Sequence, residues 1–394
     1  MMESIKDKVA IIGMGCTVFG ERWEASADDL IIEAAREAYQ DAGIEQKEIQ
    51  AAWVGTMFSG DTGRCLSEPL KLDYIPVTRV ENMCATGSDA LRNASYAVAA
   101  GVYDVVLALG FDKLKDTGWA GLGDVPFPST SRGIIGSQGL SGPSAFALLA
   151  TAYFAKYGLS PQEGKRMIGM ISVKSHRNGA KHPKAHLKRE VTIEQVMQAP
   201  IIAWPLGLFD CCGVTDGAAA AIVVRADMAK KFRPDPVYIK ALQISVGQSQ
   251  GFSRADFDYT SVYETVRAGK AAYAEAGIKN PREEISMAQV HDCFSITEAV
   301  IMEDLAFSPR GRVKEDIDAG FFELTGKLPV QTDGGLKSFG HPIGASGLRM
   351  MYECYKQLQG KCGERQLKDP KLGLTHNLGG FPASATVSCC IAGL

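Results

Sequence analysis

The sequence predicts an α/β fold built from two β/α halves related by a pseudo-twofold axis, with a long segment inserted between them. Three internal matches predict it. A shift of 234 positions sets Ala34, Ala38, Tyr39, Ala42, Gly43 and Ile44 against Ala268, Ala272, Tyr273, Ala276, Gly277 and Ile278. A shift of 236 sets Ala52, Val54 and Phe58 against Ala288, Val290 and Phe294. A shift of 257 sets Gly87, Leu91 and Arg92 against Gly344, Leu348 and Arg349, and brings Cys84 opposite His341. One match can arise by chance. Three in the same order, each in the same local context, mark a repeat.

The elements follow in chain order. The apolar run Val9 to Gly15 reads as a first strand. Ser26 caps a helix, with Asp29 three residues on as the partner in a capping box. Ile31, Ala34, Ala35, Ala38 and Ala42 share one face of that helix, and Gly43 ends it. A second strand runs from Ala51 to Phe58. In the second half Ser261 and Glu264 are placed for an equivalent capping box. Each half continues into a tight Gly-containing turn, a helix, and a strand ending in glycine: Asp104 to Gly110 in one, Gly373 to Gly379 in the other. At roughly 150 residues per domain, 394 residues make two or three domains or one intertwined unit. The halves span 1–118 and 235–394. The insertion, 119–234, is rich in Gly, Pro and Ser at first and helical later, and a long insertion between strand and helix is more often functional than structural.

Composition excludes several classes of function. Lys plus Arg number 42 against 45 Asp plus Glu, so the net charge of −3 gives no global field for nucleic acid or an anionic membrane. No run of about 18 apolar residues is present, so no transmembrane helix is expected. The opening MMESIKDKVAIIGMG reads as a cap on the first strand rather than a signal peptide, and Ile391 to Leu394 is not a peroxisomal address. A cytoplasmic protein is the expectation. Ten cysteines are too dilute for a disulfide scaffold, and none forms a Cys-x-x-Cys pair. Cys211-Cys212 and Cys389-Cys390 are adjacent pairs, poor as joint metal ligands, so no metal site is expected. No phosphate-binding glycine loop stands in a suitable context, which argues against a dinucleotide cofactor.

Chemistry is concentrated at a few places. Cys84, in Glu81-Asn-Met-Cys-Ala-Thr-Gly-Ser88, precedes a helix with Leu91, Ala94 and Val98 on its apolar face. The helix dipole and free backbone N–H groups there are expected to lower its pKa and make it a nucleophile. His341, in Gly340-His-Pro-Ile-Gly-Ala-Ser-Gly347, stands at the equivalent turn of the other half, where its neutral form is favoured. Val290-His-Asp-Cys-Phe294 lies at the C-terminal end of a strand, where α/β folds place active sites. His376 and Asn377 precede Gly379-Gly380, and glycines after a strand let a backbone N–H face a ligand closely. From Lys174 to Arg189 runs the one dense basic patch, either a solvated face or a clamp for a phosphorylated ligand.

Three of these segments together, around Cys84, His291-Asp-Cys-Phe294 and Gly340-His-Pro342, resemble the thiolase superfamily over essentially the whole chain. The His-Asp-Cys-Phe form is similar to the sterol-carrier-type thiolases and their archaeal and bacterial relatives. The resemblance implies the five-layer α-β-α-β-α thiolase fold with an inserted loop domain. It implies a 3-oxoacyl-CoA thiolase, cleaving a β-keto acyl-CoA with coenzyme A or running the reverse Claisen condensation. Cys84 takes the acyl group. His341 activates that thiol and, supported by His291, forms an oxyanion hole. The backbone N–H groups of Cys84 and Gly379 form a second hole. Coenzyme A is a co-substrate, with no permanently bound cofactor, and its phosphates meet Lys174, His176, Arg177 and Lys181 of the loop domain.

The chain departs from the family pattern at one place. Many thiolases carry a second catalytic cysteine in a Cys-x-Gly loop, and here Asn377-Leu-Gly379 stands there. Cys389 and Cys390 come too late to replace it. Cys293 is the natural substitute, because the nucleophile and the enolate carbon exchange protons in separate steps. The family likeness further implies a homodimer or dimer of dimers. Its relatives often work with a small OB-fold zinc-ribbon partner, and a ketosynthase-like condensing enzyme is the rival reading on the same fold. Trp119, Phe127, Phe146 and Trp204 of the insertion are candidates to line a bulky acyl site, for instance for an aroylsuccinyl-CoA.

Overall fold

A computed structural model describes residues 4–117, 141–248 and 256–394. In the first half, β1 (Val9–Cys16) is followed by α1 (Ala27–Ala42), β2 (Ala51–Gly55), β3 (Val77–Val80), α2 (Thr86–Ala99) and β4 (Val105–Lys113). The insertion contributes α3 (Gly142–Lys156), α4 (Pro161–Ala180) and a small hairpin of β5 (Ile201–Ala203) with β6 (Leu206–Gly207). The chain returns to the first half through β7 (Asp216–Arg225). The second half holds β8 (Val237–Val246), α5 (Tyr263–Ala276), β9 (Met287–Gln289), α6 (Ser295–Asp304), α7 (Ser346–Leu358), β10 (Leu372–Phe381) and β11 (Ser384–Gly393).

The strand order β3-β2-β4-β7-β1-β8-β11-β10-β9 displays the repeat. From the centre outward, β1-β7-β4-β2 is matched by β8-β11-β10-β9. In both halves the outer pair is parallel and the inner pairs are antiparallel. β3 has only a vestige in the second half, the single parallel bridge of Val330 to Ala288. The two sheets touch edge to edge at two residue pairs, Ala10 with Tyr238 and Ile11 with Val237.

Helices α2 and α7 pack on each other between the sheets, α1 covers the outer face of the first sheet, and α5 covers that of the second. This is the five-layer order. Buried residues of β1, α2, β7, α7 and β11 share one core, so the middle layer glues the halves together. The alanine stripe of α1 is explained by close approach. A Cβ on Gly15 of β1 would lie 2.0 Å from the Ala34 carbonyl oxygen, so strand and helix touch through backbone.

The first capping box forms: the Ser26 hydroxyl accepts from the Asp29 N–H, and the Asp29 carboxylate accepts from the Ser26 N–H. Such a cap stabilises a helix by about 1 kcal/mol. The second does not. Ser261 Oγ donates to Asp304 at 2.6 Å instead, and α5 starts at Tyr263 without a side-chain cap. A buried carboxylate on α6 competes for the hydroxyl, a tertiary contact invisible to local spacing. Among the described residues no helix is long and apolar enough to cross a membrane.

Candidate active site

The turns before α2 and α7 meet where the halves join. A Cβ on Gly110 would lie 2.0 Å from the Gly344 carbonyl oxygen, and one on Gly87 would lie 2.6 Å from the same atom. Asp112, at the end of β4, accepts the Gly344 N–H at 2.6 Å and the Phe58 N–H at 2.9 Å, tying the turn before α7 and the loop after β2 to the first sheet. Neither α2 nor α7 has a side-chain cap.

Cys84 sits on the first turn. Met83, just before it, is held at φ 50°, a left-handed conformation that non-glycine residues adopt at a cost of roughly 1–3 kcal/mol. The Thr86 N–H to Met83 O bond and the Asn82 N–H to Thr86 Oγ1 bond close the turn around the cysteine. Its thiol is not a resting thiolate. Burial pushes its pKa up to about 12, against a lowering backbone hydrogen bond from Gly380. The expected depression by the helix terminus is therefore overturned, because desolvation outweighs the dipole.

The base lies opposite. His341 Nε2 is 3.3 Å from Cys84 Sγ. Its Nδ1 is 2.7 Å from Ser346 Oγ, whose single proton goes to the Pro342 carbonyl at 2.8 Å. Nδ1 must then carry the ring proton, leaving the Nε2 lone pair on the thiol. Burial holds His341 down to about 3, so it is neutral across the working range. Ser346→Ala removes the acceptor that fixes this tautomer. The expected outcome is a fall of kcat by roughly tenfold or more with KM little changed, read by steady-state kinetics.

His291 follows β9 and is fully buried, its ring 5.3 Å from that of His341 at 82°. A ligand atom of each of Cys84, His291 and His341 lies within 4.8 Å of the others. Burial first, then His341, holds His291 well below the ordinary range, and among the described residues its Nδ1 has no hydrogen-bond partner. Cys293 is buried two residues on, its thiol pushed well up by burial and then by Cys212, Cys84 and Asp292. A thiol and two neutral imidazoles from both halves thus lie together, with the Cys293 thiol near enough to feel Cys84 electrostatically. Such a set can form and break a thioester while moving protons at two places.

The first part of the chain, residues 9–227, matches the family model "Thiolase, N-terminal domain", and residues 247–391 match "Thiolase C-terminal domain-like". The chain belongs to the thiolase superfamily. It is 37% identical to an acetyl-CoA acetyltransferase of Methanothermobacter thermautotrophicus, over 96% of this chain and 98% of that one. It is 32% identical to the benzoylsuccinyl-CoA thiolase subunit BbsB of Thauera aromatica, over 95% and 96%. The solved structure titled Ltp2-ChsH2(DUF35) aldolase superposes with a TM-score of 0.86 at 25% identity, covering 98% of each chain. The chain is an acyltransferase of the thiolase kind.

Against that family frame, the other expected residues separate. Asn377, standing where many thiolases carry cysteine, accepts from Ser88 Oγ at 2.8 Å and is fully buried. Gly380 supplies the backbone hydrogen bond that works against burial at the Cys84 thiol. A Cβ on Gly379 would lie 2.3 Å from the Asn82 carbonyl oxygen, so that residue makes room for the cysteine turn. Cys389 and Cys390 are core residues of β11. His376 is spent on Thr265 at 3.0 Å.

The expected phosphate clamp is corrected in two of its four members. Lys174 is buried in an ion pair with Glu298, and His176 is buried with Nδ1 3.0 Å from the Arg189 carbonyl oxygen. Both stabilise α4 and present no charge to a ligand. Arg177 is half-exposed and paired with Glu323. Lys181 is exposed and lines a cavity of about 450 Å³ at the C-terminal end of α7, the far end from His341. Of the four aromatic candidates, Phe146 is buried against Phe294 with ring centroids 4.7 Å apart, beside Cys293. Trp204 is 57% exposed on the β5–β6 hairpin. Trp119 and Phe127 lie outside the described residues.

Proposed function

We propose that the chain is a 3-oxoacyl-CoA thiolase with Cys84 as nucleophile and Cys293 as second acid–base group. The observation that carries the reading is the His341 Nε2 lone pair 3.3 Å from Cys84 Sγ with its tautomer fixed from behind. His341 takes the thiol proton as sulfur attacks the 3-keto carbon. The C2–C3 bond breaks, the acyl group stays on Cys84 as a thioester, and the acetyl-CoA enolate takes a proton from Cys293. The thiol of coenzyme A, giving its proton back to Cys293, then attacks the acyl thioester; the acyl–Sγ bond to Cys84 breaks, the new acyl-CoA leaves, and His341 returns its proton to the sulfur. His291 and the protonated His341 stabilise the enolate oxygen, and the Cys84 and Gly379 N–H groups stabilise the tetrahedral intermediates.

The 37% identity with an acetyl-CoA acetyltransferase, and the Phe146–Phe294 stack beside Cys293, support acetoacetyl-CoA as substrate. A bulky aroyl β-keto acyl-CoA is the second reading, supported by the likeness to BbsB. The likeness to a structure whose title pairs its chain with a DUF35 protein supports a small partner subunit.

Both substrates are to be tested in a coenzyme-A-dependent cleavage assay with wild type and Cys293→Ala. The expected outcome is cleavage by the wild type. In Cys293→Ala turnover falls by about a hundredfold or more, while mass spectrometry still finds the acyl adduct on Cys84. Full turnover in Cys293→Ala would remove that residue from the mechanism and favour the ketosynthase-like alternative.

A further inference from the structure

Behind the site stands a buried lysine that the mechanism above does not use. Lys337 lies in the short helix Gly335–Ser338, between the Gly334-Gly335 turn and the Gly340-His341 turn, and is 1% exposed. Among the described residues no carboxylate lies within ion-pairing distance of it. Its Nζ donates to the Cys211 carbonyl oxygen at 3.0 Å. The N–H of that same peptide unit, on Cys212, donates to the Cys293 carbonyl oxygen at 2.8 Å. An unbroken hydrogen-bonded chain therefore runs from the ammonium, through one peptide, to the residue that carries the second thiol. Bonds in such chains polarise one another. The same segment is gripped from its other side. Asp292 accepts the Leu336 N–H at 2.6 Å and, more loosely, the Lys337 N–H at 3.4 Å.

Burial pulls the Lys337 pKa below the ordinary lysine range, against the raising influence of Asp210, Cys212, Cys211 and Asp292, so a lysine kept at this place calls for a use. The groups that face it are Asp210, which is already paired with Lys165, together with Cys211, Cys212, Asp292 and His176. Cys212 stands across from Cys293, beside the antiparallel bridge of Cys211 with Phe294. After burial, Lys337 is the leading influence on Cys212, and it acts to favour the thiolate.

We propose that Lys337 is a positioning residue of the active site: through the peptide joining Cys211 to Cys212 it holds Cys293 in place, and it keeps a positive charge behind the facing thiols of Cys212 and Cys293. The proposal rests on Cys293 as the second acid–base group, and part of its test needs no substrate.

The test compares wild type, Lys337→Met and Lys337→Gln, each checked for folding by circular dichroism. Glutamine keeps a donor without the charge and guards against a methionine variant that fails to fold. Iodoacetamide labelling of Cys212 and Cys293 is followed by mass spectrometry between pH 7 and 10. Labelling of Cys212 at pH 8.5 is expected to slow about tenfold in both variants, as for a rise of one pKa unit. With acetoacetyl-CoA, kcat is expected to fall about tenfold in Lys337→Met with KM within about twofold, the loss being smaller in Lys337→Gln. Folded variants with wild-type labelling and wild-type kcat would overturn the proposal. Slowed labelling with unchanged kcat would overturn the positioning role. Slowed labelling in a chain that cleaves no thioester would instead retain Lys337 as the source of charge and remove the thiolase reading.

Discussion

Replacing Cys84 by alanine is expected to lower thiolytic turnover about ten-thousandfold or more, without disturbing the fold. The size follows from the chemistry. A nucleophile that carries the acyl group between two half-reactions has no substitute, and residues acting as a unit lose nearly everything when one is removed. The stability expectation follows from the turn. The turn is closed by the Thr86 N–H to Met83 O bond and the Asn82 N–H to Thr86 Oγ1 bond, and alanine at position 84 keeps both. Cys84→Ala should also lose the acyl adduct that Cys293→Ala retains. More than about one per cent of wild-type turnover in Cys84→Ala, from enzyme shown free of contaminating thiolase, would place the nucleophile elsewhere.

The second large effect is on stability. Arg349, on α7, and Asp333 form an ion pair at 2.6 Å in which both side chains are wholly inaccessible to solvent. Asp333 also accepts the Gly335 N–H at 2.9 Å, and Arg349 donates to Gln289 at 3.1 Å. Asp333→Ala leaves the guanidinium buried without its counter-charge, which costs about 3–5 kcal/mol. That is a large fraction of the 5–15 kcal/mol typical of a folded domain. The expected result is a lower urea midpoint at an unchanged slope, read from tryptophan fluorescence. A double variant, Asp333→Ala with Arg349→Met, should recover much of the loss, because it removes the stranded charge. A single variant with a wild-type midpoint would mean that the pair is dispensable.

This pair also shows what a sequence can and cannot say. The repeat was legible because close backbone packing demands small residues at fixed places, and Ala34, Gly87 and their counterparts Ala268 and Gly344 keep those places. The match of Arg92 to Arg349 was equally visible, yet Arg92 is a partly exposed partner of Asp89 whereas Arg349 is a buried strut of the middle layer. Identity at matching positions carries geometry, and burial is set by what packs around them. The same limit explains the Cys84 thiol. Its place at a helix start was readable, but its environment was not, and desolvation reversed the expected shift. The basic segment misled in the same way, since Lys174 and His176 turn inward on α4. The structure sets Cys84, His341 and His291 side by side, with Cys293 two residues beyond His291. The places of Cys212 and Lys337 were missed; a lysine between two glycine turns was a faint signal for the second.

The meeting of Gly87, Gly110 and Gly344 bears on how such a chain can change over time. Each half resembles a copy of the other, and duplicated copies are ordinarily free to diverge. Here the turn bearing Cys84 and the turn bearing His341 press together main chain to main chain, with no side chain between them to absorb a misfit. A mutation that shifts one turn must be answered in the other, or the sulfur and the imidazole lose their alignment while the molecule still folds. A change in the outer layers leaves this seam untouched. At the seam the two copies are bound to evolve as a pair, and the rate of the reaction registers a misstep before stability does.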